Sequence, residues 1–347
     1  MNPPPGPPAA NAPPPLYSFR TPQYQGYAVE FSPFFENRLA VASAANFGIV
    51  GNGRLWILDM PPQPGALAPQ THFDTQDGLY DLAWSELNEF QLVTGSGDGS
   101  IRLWDTTLTE FPIAGWHEHA REVFSVHWNQ VAKDSFASAS WDSSIKIWSP
   151  SHPSSLATLT GHTECVYAAT WSPSAATTLA SGSGDRTLRV WDTRHPTAPT
   201  ASVRAHAHDV LSVDWDKYRP YILYTASADR DVSIWDARRL DGPVAHAGSH
   251  RFPARRVKAS PHVPGRAASV AYDMTASVWD VAIDAVAPVQ APMAGGAVAG
   301  VSRHVWMSGV HTEFVLGCDW SLFHRGRLAT CGWDGLVAVH QLPPPIA

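Results

Sequence analysis

Cysteine is scarce in this 347-residue chain: Cys165, Cys318 and Cys331 make an odd number and no Cys-x-x-Cys spacing. That excludes a dense disulfide framework and fits a reducing compartment, so a cytosolic setting is expected. Long apolar runs are missing too; nothing approaches the roughly 18 consecutive apolar residues of a membrane-spanning helix, which speaks against direct membrane insertion. Residues 1–15 are proline-rich, with no basic n-region and no apolar h-region, so they read as a disordered tail and not as a secretion signal. Basic charge is in deficit, with 24 Lys and Arg against 31 Asp and Glu and a net charge of -7. Nucleic acid is therefore an unfavourable partner, because phosphate binding needs cations. Neither a Walker-type Gly-rich loop nor a Gly-x-Ser-x-Gly elbow is present.

What the chain does contain is a repeat that keeps two rulers. Asp98, Asp142, Asp185, Asp229, Asp273 and Asp334 each stand six residues before Trp104, Trp148, Trp191, Trp235, Trp279 or His340. His119, His162, His206, His250 and His311 each precede one of those aspartates by 23 residues, and nine residues after each comes Trp128, Trp171, Trp215, Ala259 or Trp320. A period near 44 residues with a Trp-Asp end signature marks WD40 repeats, each folding as four short strands of a propeller blade.

The markers Phe31, Trp84, Trp128, Trp171, Trp215, Ala259 and Trp320 count seven units. An open array would expose sheet edges, so the expectation is an all-β, seven-bladed propeller over residues 16–343. Residues 16–21, apolar and alternating, precede the first inner strand and are placed to supply the outer strand of the seventh blade. In the first blade Asn52 stands for the turn Asp and Pro22 for the His; in the second, Thr75 stands for the His. A flexible insertion is expected over about residues 282–310, with Trp306 isolated in it, and a short C-terminal tail over residues 344–347. A closed ring has no long free edge, which favours a monomer.

The recurrent His and Asp residues would tempt a search for a hydrolase or a metal centre. In such blades, however, the His (119, 162, 206, 250, 311), the turn Asp (98, 142, 185, 229, 273, 334) and the third-strand Trp satisfy one another as buried polar groups. The serines recur blade by blade with none singled out as a nucleophile. His117 with His119, or His206 with His208, has no third or fourth ligand at suitable spacing. No enzyme activity, no metal and no cofactor is expected.

Subtracting what the blades require leaves Trp116, Trp141, Trp306 and Trp333. Trp141 and Trp333 directly precede the turn Asp, where other blades place Gly97, Gly184 and Ala228; Tyr272 takes that place in the sixth blade. Large aromatics in a tight turn are typical binding anchors. The neighbouring loops carry Asp77, Glu122, Glu164, Asp209 and Glu313, acids that would ring one mouth and focus its field. A cationic, partly apolar ligand fits, such as an amphipathic helix bearing Arg or Lys. A generic WD40 scaffold or substrate adaptor, or a methyl-lysine-type reader, remains the alternative.

Residues 26–59, GYAVEFSPFFENRLAVASAANFGIVGNGRLWILD, resemble the first blade of the WD40 peroxins that serve as receptors for peroxisomal targeting signal type 2 (PTS2), including the unusual AANFGIVGNG insertion. DGLYDLAWSELNE at 77–89, EHAREVFSVHW at 118–128, RRVKASP at 255–261 and HTEFVLGCDWS at 311–321 extend the likeness. The resemblance implies an import receptor that binds an N-terminal nonapeptide of Arg-Leu-x5-His-Leu type, an amphipathic helix, on cargo such as a peroxisomal 3-ketoacyl-CoA thiolase. It implies a co-receptor, a docking complex at the peroxisome, and cycling between cytosol and the peroxisomal membrane or matrix. The expected signal-binding set is Asp77, Tyr80, Glu122, Trp141, Glu164, Tyr167, Asp209, Tyr272, Glu313 and Trp333. Within it, by analogy, Asp77 and Glu122 would meet the signal's Arg. Trp141, Tyr167, Tyr272 and Trp333 would meet its Leu side chains or the co-receptor, and Glu164 and Asp209 its distal polar groups.

Overall fold

The computed structural model describes residues 14–49, 51–282, 301–344 and 346. Seven sheets, each with four antiparallel blade strands, form the ring; in the first six the strand earliest in sequence is innermost, and in the seventh the inner strand is Val315–Trp320 while the chain's first strand lies on the outside. The inner strands are Tyr24–Phe31, Leu79–Trp84, Val123–Trp128, Val166–Trp171, Val210–Trp215, Ala254–Ala259 and Val315–Trp320. Most are rich in apolar residues because they are buried on both faces, between the central channel and the neighbouring blade, whereas Ala254–Ala259 carries Arg255, Arg256 and Lys258.

The ring closes as expected. Tyr17–Arg20 pairs antiparallel with the third strand of blade seven, with Tyr17 opposite Val339 and Arg20 opposite Leu336. Tyr17 then shares a buried cluster with Val29, Leu39 and Trp56 of blade one and Val337 and Val339 of blade seven, so the two ends of the chain are tied through one core. A two-residue strand, Gly65–Ala66, adds parallel to the outside of that closing strand.

One sequence expectation needs correction. Residues 301–308 are not loop: Val301–Ser308 is the outer strand of blade six, paired along Ala276–Ala282. Without it the third strand of the blade would present an unpaired edge. Trp306 is accordingly buried, in edge contact with the His340 ring at 5.2 Å, and is not a free anchor. Trp116 is likewise internal; its indole N–H donates to the His152 carbonyl at 2.9 Å. The remainder of the expected insertion, residues 283–300, and the proline-rich head up to residue 13 lie outside the described residues. In the expected C-terminal tail, Ile346 packs against the cluster shared by blades six and seven.

The His–Asp pairs are relays with a member the sequence reading left out. In blade three the Trp148 indole N–H donates to Ser138 Oγ at 2.8 Å, Ser138 lies 2.7 Å from His119 Nε2, and His119 Nδ1 lies 2.8 Å from Asp142. A carboxylate can only accept, so Nδ1 carries the proton toward Asp142, and in the neutral imidazole Nε2 then accepts the serine hydroxyl while that hydroxyl accepts the indole N–H. Ser181, Thr225, Ser269 and Thr330 take the hydroxyl role in blades four to seven. Both nitrogens of each of these five histidines are thereby engaged, which leaves none free to bind a metal, and the five hydroxyls they meet are fully buried. In blade two, with Thr75 in place of His, Asp98 is held by Ser100 and Arg102. The three cysteines are free thiols, two of them buried, and burial pushes Cys318 up to about 12.

Candidate functional site

Every inner strand carries a β-bulge at its upper end. The extra residues are Tyr27, Tyr80, Phe124, Tyr167, Leu211, Arg255 and Leu316. A bulge leaves one residue out of the ladder and re-aims its side chain. Here all seven aim at the mouth of the channel, and all seven line a single cavity of about 510 Å³.

A second tier stands on this floor. The hairpin-turn residues Trp141, Ala228, Tyr272 and Trp333 line the same cavity, as do Glu122, Pro253 and the tip of the first-blade insertion, Phe47, Gly48 and Ile49. The tiers are packed together: Phe124 stacks on Trp141 at 4.6 Å, Tyr272 on Phe314 at 4.7 Å, and Phe314 lies 5.2 Å from Trp333. The indole Nε1 of Trp141 is buried and has no hydrogen-bond partner among the described residues. The result is a rigid aromatic bowl, preorganised because its rings hold one another.

The insertion tip is unusual backbone. Asn46 and Phe47 both have positive φ, 50° and 58°, a region that bulky side chains avoid. Two phenols hold it: Tyr27 donates to the Phe47 carbonyl at 2.5 Å and Tyr80 to the Gly48 carbonyl at 2.8 Å. Burial, reinforced by Asp77 and Glu122, pushes the Tyr80 hydroxyl up to about 12, so it stays a donor. The Phe47 ring meets Trp333 edge-on at 5.3 Å while 45% exposed, and Ile49 is 82% exposed.

Of the residues expected from sequence, Tyr80, Glu122, Trp141, Tyr167, Tyr272 and Trp333 line this cavity. Asp77, Glu164, Asp209 and Glu313 are not in its wall and stand around the rim. Asp209 accepts from the Tyr167 hydroxyl at 3.4 Å, Asp77 accepts from the Gly78 N–H at 2.7 Å, and Glu164 and Glu313 are exposed. Arg121 approaches both Glu122, at 3.6 Å, and the Trp141 ring, at 5.6 Å. Sequence reasoning missed Tyr27, Phe124, Leu211, Arg255, Leu316, Phe47 and Ile49. A third ruler would have found the first five: each bulge residue follows the repeat's His position by five, from Pro22 to Tyr27 and from His311 to Leu316.

Below the floor the channel is charged. Arg256 of blade six reaches across to Asp81 of blade two, with both terminal nitrogens donating to Asp81 Oδ1 at 3.0 and 2.9 Å, while Asp81 Oδ2 accepts the Val126 N–H of blade three at 3.0 Å. Three blades are thus cross-braced inside the ring. Among the described residues no group of three or more His, Cys, Asp or Glu could hold a metal ion, and no helix is long and apolar enough to cross a membrane.

Comparison with known proteins agrees with this architecture. The profile of the WD domain, G-beta repeat, matches residues 68–105, 111–149, 153–192 and 197–236. The chain is a WD40-repeat propeller. It is similar to the "Peroxisomal targeting signal 2 receptor" of Saccharomyces cerevisiae, 56% identical over 137 residues, which are 40% of this chain and 36% of that protein. The protein of the same name from Dictyostelium discoideum is 53% identical over 130 residues, 37% of this chain and 40% of that protein. The one from Homo sapiens is 48% identical over 144 residues, 41% of this chain and 44% of that protein. The matched segment spans less than half the length of these relatives.

Proposed function

We propose that this protein is a receptor for the PTS2 nonapeptide, taking the signal as an amphipathic helix across the aromatic mouth of its propeller. The observation that carries the reading is the bowl itself: a preorganised aromatic cavity of about 510 Å³ with Glu122 in its wall, on a chain similar to receptors of that name. A helix of this type lays apolar side chains on rings and a cation on an acid at the edge. Trp141, Tyr167, Tyr272 and Trp333 would take the Leu side chains, with Glu122 and Asp77 taking the Arg. Glu164, Asp209 and Glu313 would meet polar groups further along, or a co-receptor that covers the exposed side of the helix. Delivery of cargo such as a thiolase to a peroxisomal docking complex, and cycling between cytosol and peroxisome, belong to the same proposal.

A methyl-lysine reader is disfavoured by the cavity. Its cage would need rings facing an uncharged centre, and here a protein guanidinium, that of Arg255, stands 5.7 Å from the Phe124 centroid. The deciding experiment is binding of a fluorescent Arg-Leu-x5-His-Leu peptide to the purified chain, alone and with a co-receptor fragment, against a peptide with Arg changed to Ala and Leu to Arg. Binding of the intact signal alone supports the receptor; equal binding of both, or of neither by folded protein, sinks it. Charge reversal at Asp77 and Glu122 together tests the cation's place.

A further inference from the structure

Six of the seven floor residues are aromatic or aliphatic, and the seventh is Arg255. Its position is fixed by the bulge in the inner strand of blade six, and it is 3% exposed. Nη1 donates to the Leu211 carbonyl of blade five at 3.2 Å, and the guanidinium stands over Phe124 of blade three. Nη2 is buried and has no partner among the described residues. Asp81, the acid that acts on this guanidinium, is already engaged by Arg256 and the Val126 N–H. Burial lowers the guanidinium's pKa, yet an arginine stays protonated in proteins. A buried charged donor without an acceptor is costly, and native proteins retain few of them. Ring packing does not call for this one, since Leu211 and Leu316 fill the equivalent place in other blades.

We propose that Arg255 Nη2 is an oxygen-acceptor site at the floor of the mouth, taking a carboxylate or carbonyl oxygen from the buried face of the bound peptide. This deepens the peptide-receptor reading and rests on it for the identity of the ligand. The mouth then reads a polarity pattern: a cation at the rim, beside Glu122 and Asp77, and an acceptor at the centre. A Lys or Arg aimed at the floor is repelled by Arg255, which sets the register of the helix. Interior carbonyls of a helix are already bonded, so the oxygen comes either from an acidic or amide side chain or from the free carbonyls of the last helical turn.

The test uses the full chain as wild type, Arg255→Met and Arg255→Lys, with two sets of probes. In the first, calorimetry compares 3-phenylpropionate, 3-phenylpropionamide and phenethylamine. Wild type is expected to favour the two oxygen-bearing probes over the amine, and Arg255→Met to lose roughly tenfold or more in affinity for them. Arg255→Lys, which keeps the charge and loses the planar fork, is expected to fall between, and serves alone if the Met variant does not fold. In the second, the Arg-Leu-x5-His-Leu nonapeptide carries Glu, Gln or only Ala at its variable positions. A gain from Glu or Gln that vanishes in Arg255→Met assigns the oxygen to a side chain; equal binding of all three peptides with the same loss in Arg255→Met assigns it to the helix end. Unchanged binding of phenylpropionate, or of all three nonapeptides, in Arg255→Met overturns the site. So does a lowered melting temperature with unaltered binding, the signature of a purely structural arginine. If the nonapeptide fails on wild type while phenylpropionate binding still depends on Arg255, the PTS2 reading falls and the acceptor site stands.

Discussion

The rings of Phe124 and Trp141 lie 4.6 Å apart and within 4° of parallel, although one comes from an inner-strand bulge and the other from the hairpin turn above it. The bulge aims Phe124 into the mouth and the turn lays Trp141 over it. Two local departures from regular sheet geometry thus make one continuous wall. Because Tyr80 also stacks on Phe124 at 4.6 Å, that wall is held before any ligand arrives, and binding need not supply the ordering entropy.

Trp141→Ala should separate recognition from stability. Gly97, Gly184 and Ala228 hold the equivalent turn position in other blades, so the fold tolerates a small residue there and stability should change by less than about 1 kcal/mol. Signal-peptide affinity should fall by roughly tenfold or more, as for a buried aromatic hot spot. Anisotropy titration together with a thermal melt reads both quantities. Full affinity in a folded variant would remove Trp141 from the site.

The Asp81–Arg256 pair predicts a non-additive stability pattern. Arg256→Met leaves a buried carboxylate with only the Val126 N–H, and Asp81→Leu leaves a buried guanidinium with no carboxylate. Each single change should cost about 3–5 kcal/mol, whereas the Asp81→Leu, Arg256→Met pair should cost much less than the sum. Denaturant melts of the four species form the cycle. Strict additivity would mean that the two groups do not support each other.

The blade count, the closing strand and the His–Asp registry were legible in the sequence because each is enforced once per blade, and seven copies turn a weak local signal into a ruler. The turn aromatics were legible for the opposite reason: Trp141 and Trp333 break a position that Gly or Ala otherwise fills. The bulge residues escaped notice because a bulge is a property of strand pairing, and Tyr27 or Leu316 looks like any core residue of an inner strand. Arg255 was visible in the RRVKASP run, but its unpaired nitrogen depends on Asp81 being engaged from the other side of the ring. The strand at 301–308 was hidden by the long insertion before it, which breaks the period that located the other outer strands.

The turn aspartates predict acid lability with a defined sign. Burial opposes ionisation of Asp98 and Asp273, but hydrogen bonds outweigh it, from Ser100 with the Arg102 charge in the first case and from His250 and Thr275 in the second. Both carboxyls are held down at about 2, against an ordinary 3.8. A depressed carboxyl contributes fully above its unfolded pKa, and the contribution disappears as pH falls through the folded value. Stability should therefore be flat with respect to these groups above about pH 4 and drop steeply from there to about pH 2. Asp273→Asn should make the drop shallower and lower stability at neutral pH by about 1–3 kcal/mol. Chemical denaturation across that pH range checks both; an unchanged slope in the variant would show that Asp273 does not titrate there.

The insertion tip gives a prediction about dynamics. Asn46–Gly48 holds left-handed backbone at two non-glycine residues, a conformation that costs about 1–3 kcal/mol per residue unless the surroundings impose it. The phenols of Tyr27 and Tyr80 supply that constraint through the Phe47 and Gly48 carbonyls, and neither ring needs its hydroxyl to pack. Tyr27→Phe and Tyr80→Phe should each lose about 0.5–1.5 kcal/mol of hydrogen bonding. Because the loss is local, it should appear as faster amide exchange around residues 46–49, with the melting temperature of the ring barely moved. If the tip forms part of the ligand wall, as Phe47 and Ile49 do by position, the double variant should also release the signal peptide faster while its association rate stays nearly constant. Exchange at the tip identical to wild type would mean that the backbone strain is relieved by something other than the two phenols.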